Sequence, residues 1–98
     1  MNLQEHLLTC LNEECVEVGK DVSKSLRFGL DDRNVLDPTG PTNRERLVNE
    51  LNDLAAVIQM LTAEGIIPDD WLDIGKISDK KVKVWKFVKY ATEVGALQ

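Results

Sequence analysis

The sequence predicts an all-α fold: a helical hairpin and a third helix, with a four-helix-bundle core completed by oligomerisation. Three observations predict it. Apolar residues recur at spacings of three and four over three separate stretches. No stretch of useful length shows the alternation of a strand. Glycine and proline fall between the apolar stretches and not within them, Gly19 excepted.

The first helix is expected over residues 3–27, where Leu3, Leu7, Leu11, Cys15, Val18, Val22 and Leu26 form one stripe. At ~1.5 Å per residue it would reach ~37 Å, long for so small a chain. Gly19 costs it about 1 kcal/mol against alanine. Residues 28–41 break the pattern. Asp37-Pro38 and Gly40-Pro41 each disfavour helix at the residue before proline, which predicts a long loop of the kind that often carries function.

The second helix starts at a capping box, Thr42-Asn43-Arg44-Glu45. Leu47, Leu51, Leu54, Ile58 and Leu61 carry it to about Glu64, and Gly65 stops it. Residues 66–76 are a connection in which Pro68-Asp69-Asp70-Trp71 begins a short turn. The third helix is expected from Ser78 to Glu93, striped by Ile77, Val84, Val88 and Ala91. Trp85 on its flank is expected to pack in a core. Gly95 ends it.

The chain has 98 residues and 43% hydrophobic composition, which suits one globular domain over 1–98. Two long helices and a shorter one offer more apolar stripe than a lone hairpin covers, so a homo-oligomer, dimer or tetramer, is expected. No apolar run approaches the ~18 residues of a membrane span. Met1–His6 lacks a basic region and an apolar run, so a signal peptide is not expected and a cytoplasmic location is. Two cysteines, Cys10 and Cys15, do not make a disulfide scaffold, and with the single His6 they lack zinc-site spacing.

The net charge is −5, unevenly spread. Residues 1–75 hold 6 basic and 15 acidic side chains, whereas residues 76–98 hold 6 lysines against Asp79 and Glu93. An acidic body argues against nucleic acid as a partner, and the terminal lysines run around their helix instead of along one stripe.

Chemistry concentrates in two carboxylate pairs. Glu14 and Glu17 stand at i and i+3 on the first helix; Glu50 and Asp53 do so on the second. Each pair therefore projects within ~60° of one direction. Leu7 and Val18 lie close to the direction of Glu14, and Leu54 and Leu61 close to that of Glu50, so both pairs edge the apolar stripe. Glutamates at i,i+3 are common on solvated faces. Two such pairs on successive helices, both beside the core, are more specific. Packed as a hairpin, they would crowd four acids into one cleft, which a cation must neutralise. Oxygen-only ligands select Mg²⁺, with Mn²⁺ a substitute. A di-iron centre wants Glu-x-x-His, and His6 has no carboxylate at that spacing.

Glu14-x-x-Glu17, followed after 32 residues by Glu50-x-x-Asp53, resembles the signature of the MazG-like all-α nucleoside triphosphate pyrophosphohydrolases. Glu13-Glu14-Cys15-Val16-Glu17, Arg27-Phe28-Gly29-Leu30-Asp31-Asp32, Asn49-Glu50-Leu51-Asn52-Asp53-Leu54 and the lysine-rich last helix resemble small phage-encoded members. The resemblance implies one MazG-like helical domain, a bundle completed by two or four copies, and a location in host cytoplasm. It implies hydrolysis of a (d)NTP to the monophosphate and pyrophosphate. The spacing between the pairs is longer than in many members, as the loop at 28–41 would make it.

From that resemblance the metal ligands are expected to be Glu14, Glu17, Glu50 and Asp53, with Glu14 or Glu17 accepting the proton of the attacking water. Lys24, Arg27 and Lys81 are candidate substrate-binding cations. Lys81 interrupts the apolar stripe of the third helix, where snorkelling explains it slightly better. Asp21 shares the carboxylate face; a supporting role for it stands against that of a solvated acid. Trp71, Trp85 and Tyr90 are candidates for stacking on a base. The alternative is a non-catalytic interaction protein on the same scaffold, its acidic site inactive or binding metal only. Four intact ligands, with Asp and not Asn at 53, favour the enzyme.

Overall fold

The computed structural model describes residues 1–98 and holds three helices, α1 (Leu3–Phe28), α2 (Asn43–Ala63) and α3 (Ile74–Glu93), with no strand. The chain divides into two compact units, Met1–Ile67 and Pro68–Gln98. No helix is long and apolar enough to cross a membrane.

In the first unit α1 and α2 pack as an antiparallel hairpin. The direction follows from two contacts: the Asn43 amide donates to the Gly29 carbonyl at 2.9 Å where the loop closes, and Glu14 meets Glu50 further along. Asn2 caps α1, its side chain accepting from the Glu5 N–H at 2.8 Å. Gly29, at φ 96°, ends it with its N–H on the Ser25 carbonyl. The capping box of α2 forms as expected. Thr42 Oγ1 accepts from the Glu45 N–H at 3.2 Å, and Glu45 Oε1 accepts from the Thr42 N–H at 3.3 Å. The Thr42 N–H foremost, and the Thr42 hydroxyl donating to the same Oε1 at 3.0 Å, hold the Glu45 carboxyl below its ordinary range, and the Arg33 charge adds to them.

Gly65 closes α2 at φ 71°. Its N–H reaches the Thr62 carbonyl at 3.0 Å while that of Ile66 reaches Leu61, so these two orphan carbonyls are satisfied.

The core is thin. Leu61 is fully buried and Leu7 nearly so, with Leu11, Val18, Leu54, Val57 and Ile58 half-buried around them. The rest of the expected α1 stripe is outside: Leu3, Val22, Cys15 and, at 83% exposure, Leu26. One neighbouring helix covers only part of such a stripe, because a face that drifts around a long helix leaves a single partner.

The loop 29–42 is held at several points. Arg33 and Thr42 form an isolated antiparallel bridge, and the Asn43 and Arg44 N–H groups donate to Asp32 and Leu30. Arg44 pairs with Asp31 at 3.3 Å, and Arg33 Nε donates to Gly40 at 3.0 Å. Gly40 leaves no room for a Cβ beside the Asp37 carboxylate. Thr42 and Asn43 are buried where the loop enters α2.

In the second unit the Trp71 N–H reaches the Pro68 carbonyl at 3.2 Å, the short turn expected there. The helix then begins at Ile74, four residues before the expected Ser78. Asp73 is its cap, accepting from the Lys76 N–H at 3.0 Å. Gly95 ends α3 as Gly65 ends α2. Trp85, expected in a core, is 69% exposed, since this unit contains one helix and no second helix for it to pack against.

Candidate functional site

Glu14 of α1 and Glu50 and Asp53 of α2 converge. Each offers a carboxylate oxygen within 4.8 Å of the others, with Glu14 and Glu50 half-buried and Asp53 exposed. The hairpin makes the meeting: Leu7 and Val18 on α1, and Leu54, Val57 and Leu61 on α2, turn inward and carry their acidic neighbours to the seam.

Glu50 is the strained member. Its Oε2 is cut off from solvent and has no hydrogen-bond partner. Desolvation pushes its carboxyl up to about 7, helped by the Glu14 carboxyl beside it and by the charges of Asp53 and Asp21. Asp21 sits one side of this group, 8% exposed, so the solvated role weighed for it does not hold. Its charge acts on Glu50 without its joining the three.

Glu17 stands outside the group of three. Its carboxylate lies 3.8 Å from Lys20 Nζ, with Lys20 exposed and Glu17 half-buried. The reason is rotational. Three residues along a helix turn the side chain by ~60°, and with Glu14 facing the seam Glu17 swings to its margin. A buried oxygen without a partner and a donor set of carboxylate oxygens suit a hard dication. Glu14, Glu50 and Asp53 are the residues that would hold one.

A second feature lies toward the loop. A cavity of about 240 Å³ is lined by Lys24, Arg27, Phe28, Asp32, Arg33, Asn34, Val35, Asn43 and Arg46. Lys24 and Arg27, the two cations expected from α1, both belong to it. Arg33 and Arg46 are additions from the loop and from α2. Only the loop closure unites all four, so spacing along the chain held no sign of them. Arg27 lies over the Phe28 ring, 4.9 Å from its centroid. Arg46 is one turn before Glu50, about 6 Å along the axis of α2.

Lys81, the third expected cation, belongs to α3 and is exposed; the acidic group and the cavity are both built within the first unit without it. Trp71 and Tyr90 are exposed in the second unit, and both cysteines are free.

Comparisons with family models, with curated proteins and with solved structures found no match.

Proposed function

We propose that the chain is a Mg²⁺-dependent nucleoside triphosphate pyrophosphohydrolase, acting on a (d)NTP to release the monophosphate and pyrophosphate. The convergence of Glu14, Glu50 and Asp53 around the partnerless Glu50 Oε2 carries this reading. The resemblance of Glu14-x-x-Glu17 and Glu50-x-x-Asp53 to the MazG-like signature supplies the reaction.

Glu14, Glu50 and Asp53 would hold the dication, Mg²⁺ with Mn²⁺ as a substitute. When bound, it supplies charge neutralisation at the phosphates and acidifies a water. Glu17, beside the group and only loosely paired with Lys20, accepts the proton of the attacking water. Lys24 and Arg27 meet the substrate's negative charge, which the acidic body elsewhere would repel. Asp21 helps keep Glu50 poised to receive a cation.

The active form is an oligomer, a dimer or tetramer in which hairpins pair into a four-helix bundle. Leu3, Val22, Leu26, Val48, Leu51 and Met60 are exposed on the hairpin, and Leu7 and Leu61 are its only buried apolar side chains.

The test is pyrophosphate release from a panel of NTPs and dNTPs with Mg²⁺, Mn²⁺ or chelator, beside Glu50→Gln. Metal-dependent release that the substitution abolishes is the expected result. Folded protein without turnover on any nucleotide would overturn the enzyme and favour a non-catalytic interaction protein.

A further inference from the structure

Among the charged groups of the first unit, the loop cavity is the exception to the acidic body. Lys24, Arg27, Arg33 and Arg46 line it against a single acid, Asp32. The chain as a whole carries −5. None of the four cations has an ion-pair partner; the two ion pairs of the chain are Lys20 with Glu17 and Arg44 with Asp31. Arg44, the one arginine outside the cavity, is thus the one already neutralised. Arg33 is oriented by its bond to the Gly40 carbonyl, and its charge reaches Glu45. Four like charges gathered against the one lining acid repel one another, and an anion relieves them.

We propose that this cavity is an anion site for a pyrophosphate group, held by Lys24, Arg27, Arg33 and Arg46. Three arginines suit a phosphate group, because guanidinium forks match its oxygens in pairs. Arg27 covers one face of the aromatic ring in the wall. The buried Asn43 spends its amide on Gly29 and so fixes the wall instead of binding the ligand.

The role rests on the hydrolase reading. There the cavity cradles the leaving pyrophosphate while the α-phosphorus lies at the acidic group one helical turn away. The P–O bond from the α-phosphorus to the bridging oxygen breaks, water's oxygen bonds to the α-phosphorus, and pyrophosphate departs with the bond's electron pair. Cations at the departing oxygens stabilise the charge that develops on them. The same arrangement sets specificity: a monophosphate leaves the cavity empty, and a triphosphate fills it.

The experiment is calorimetric titration of inorganic pyrophosphate into the folded chain with chelator present, so that the acidic group plays no part. Pyrophosphate is expected to bind at one site per chain and more tightly than orthophosphate. Arg46→Gln and, separately, Arg33→Gln should each weaken it about ten- to a hundredfold. Lys80→Gln, removing an equal charge from α3, should not weaken it. Circular dichroism confirms that each variant is folded, and the loop variant Arg33→Gln guards against a loss of α2 packing in Arg46→Gln. Absent binding, or binding equally weakened by Lys80→Gln, overturns the proposal. The two readings fail separately: binding without nucleotide turnover leaves the anion site and removes the hydrolase, and turnover without binding does the reverse.

Discussion

Glu14 and Glu50 face each other across the α1–α2 seam, and Glu50 presents there an oxygen that neither water nor a donor reaches. A helix pair gains nothing in stability from such an arrangement. Burying one carboxylate against another costs folding energy unless a proton or a cation intervenes.

The first consequence is a pH dependence. Unfolded, Glu50 titrates near its ordinary 4.5; folded, near about 7. Between these values the folded state holds the extra proton. In chelator, the contribution of Glu50 is therefore fully present below about 4.5 and lost as pH rises through about 7. Glu45 has the opposite sign: its carboxyl is held low, so its stabilisation is present above 4.5 and lost as pH falls. Thermal melts in chelator should peak on the acid side of neutrality. A melting temperature that rises steadily from pH 5 to pH 8 would contradict this.

Glu50→Gln follows from the same relationship. The amide is neutral at every pH and keeps the shape. In chelator at pH 8 the variant should melt above the parent chain, and at pH 4 the two should coincide. With Mg²⁺ the order should shrink or reverse, because the parent alone gains a ligand. A variant less stable at pH 8 in chelator would show that Glu50 is structural.

Glu17 separates binding from chemistry. Standing outside the three converging carboxylates, it should be dispensable for metal binding. Glu17→Gln is expected to keep the metal-induced rise in melting temperature while nucleotide turnover drops by about 10²–10⁴. Loss of the metal effect in this variant would return Glu17 to the ligand set.

The cap of α2 is a purely structural check. Thr42→Ala removes the acceptor for the Glu45 N–H and the anchor of the capping box where the loop enters the helix. A loss of about 1 kcal/mol is expected in chemical denaturation. The loop closure that assembles the cavity should loosen with it.

The helices and the capping box were legible in the sequence because they rest on local chemistry: apolar spacing, Thr42 with Glu45, and glycines past the helix ends. The start of α3 was not. Asp73 is a cap without the glutamate that completes a box, and Gly75 behind it weakens the helical signal. The two acidic pairs were legible as pairs. Which of Glu14 and Glu17 faces the seam depends on how far α1 rotates against α2, and spacing alone leaves that rotation open. Arg33 and Arg46 were hidden for a different reason. They join Lys24 and Arg27 only because Asn43 and the Arg33–Thr42 bridge fold the loop back on the hairpin. Exposure of Trp85 depends on what the second unit contains, which periodicity does not reveal.

The claim at the centre of this account is that Glu14, Glu50 and Asp53 together hold a divalent cation. Titration of the folded chain with Mn²⁺, read by the loss of the free-ion electron paramagnetic resonance signal at pH 7.5, tests it most directly. The account predicts saturable binding that Mg²⁺ displaces, that Glu14→Gln, Glu50→Gln or Asp53→Asn each weaken severely, and that Glu13→Gln leaves intact. Binding no weaker in those three variants than in Glu13→Gln, or no saturable binding at all, would contradict it.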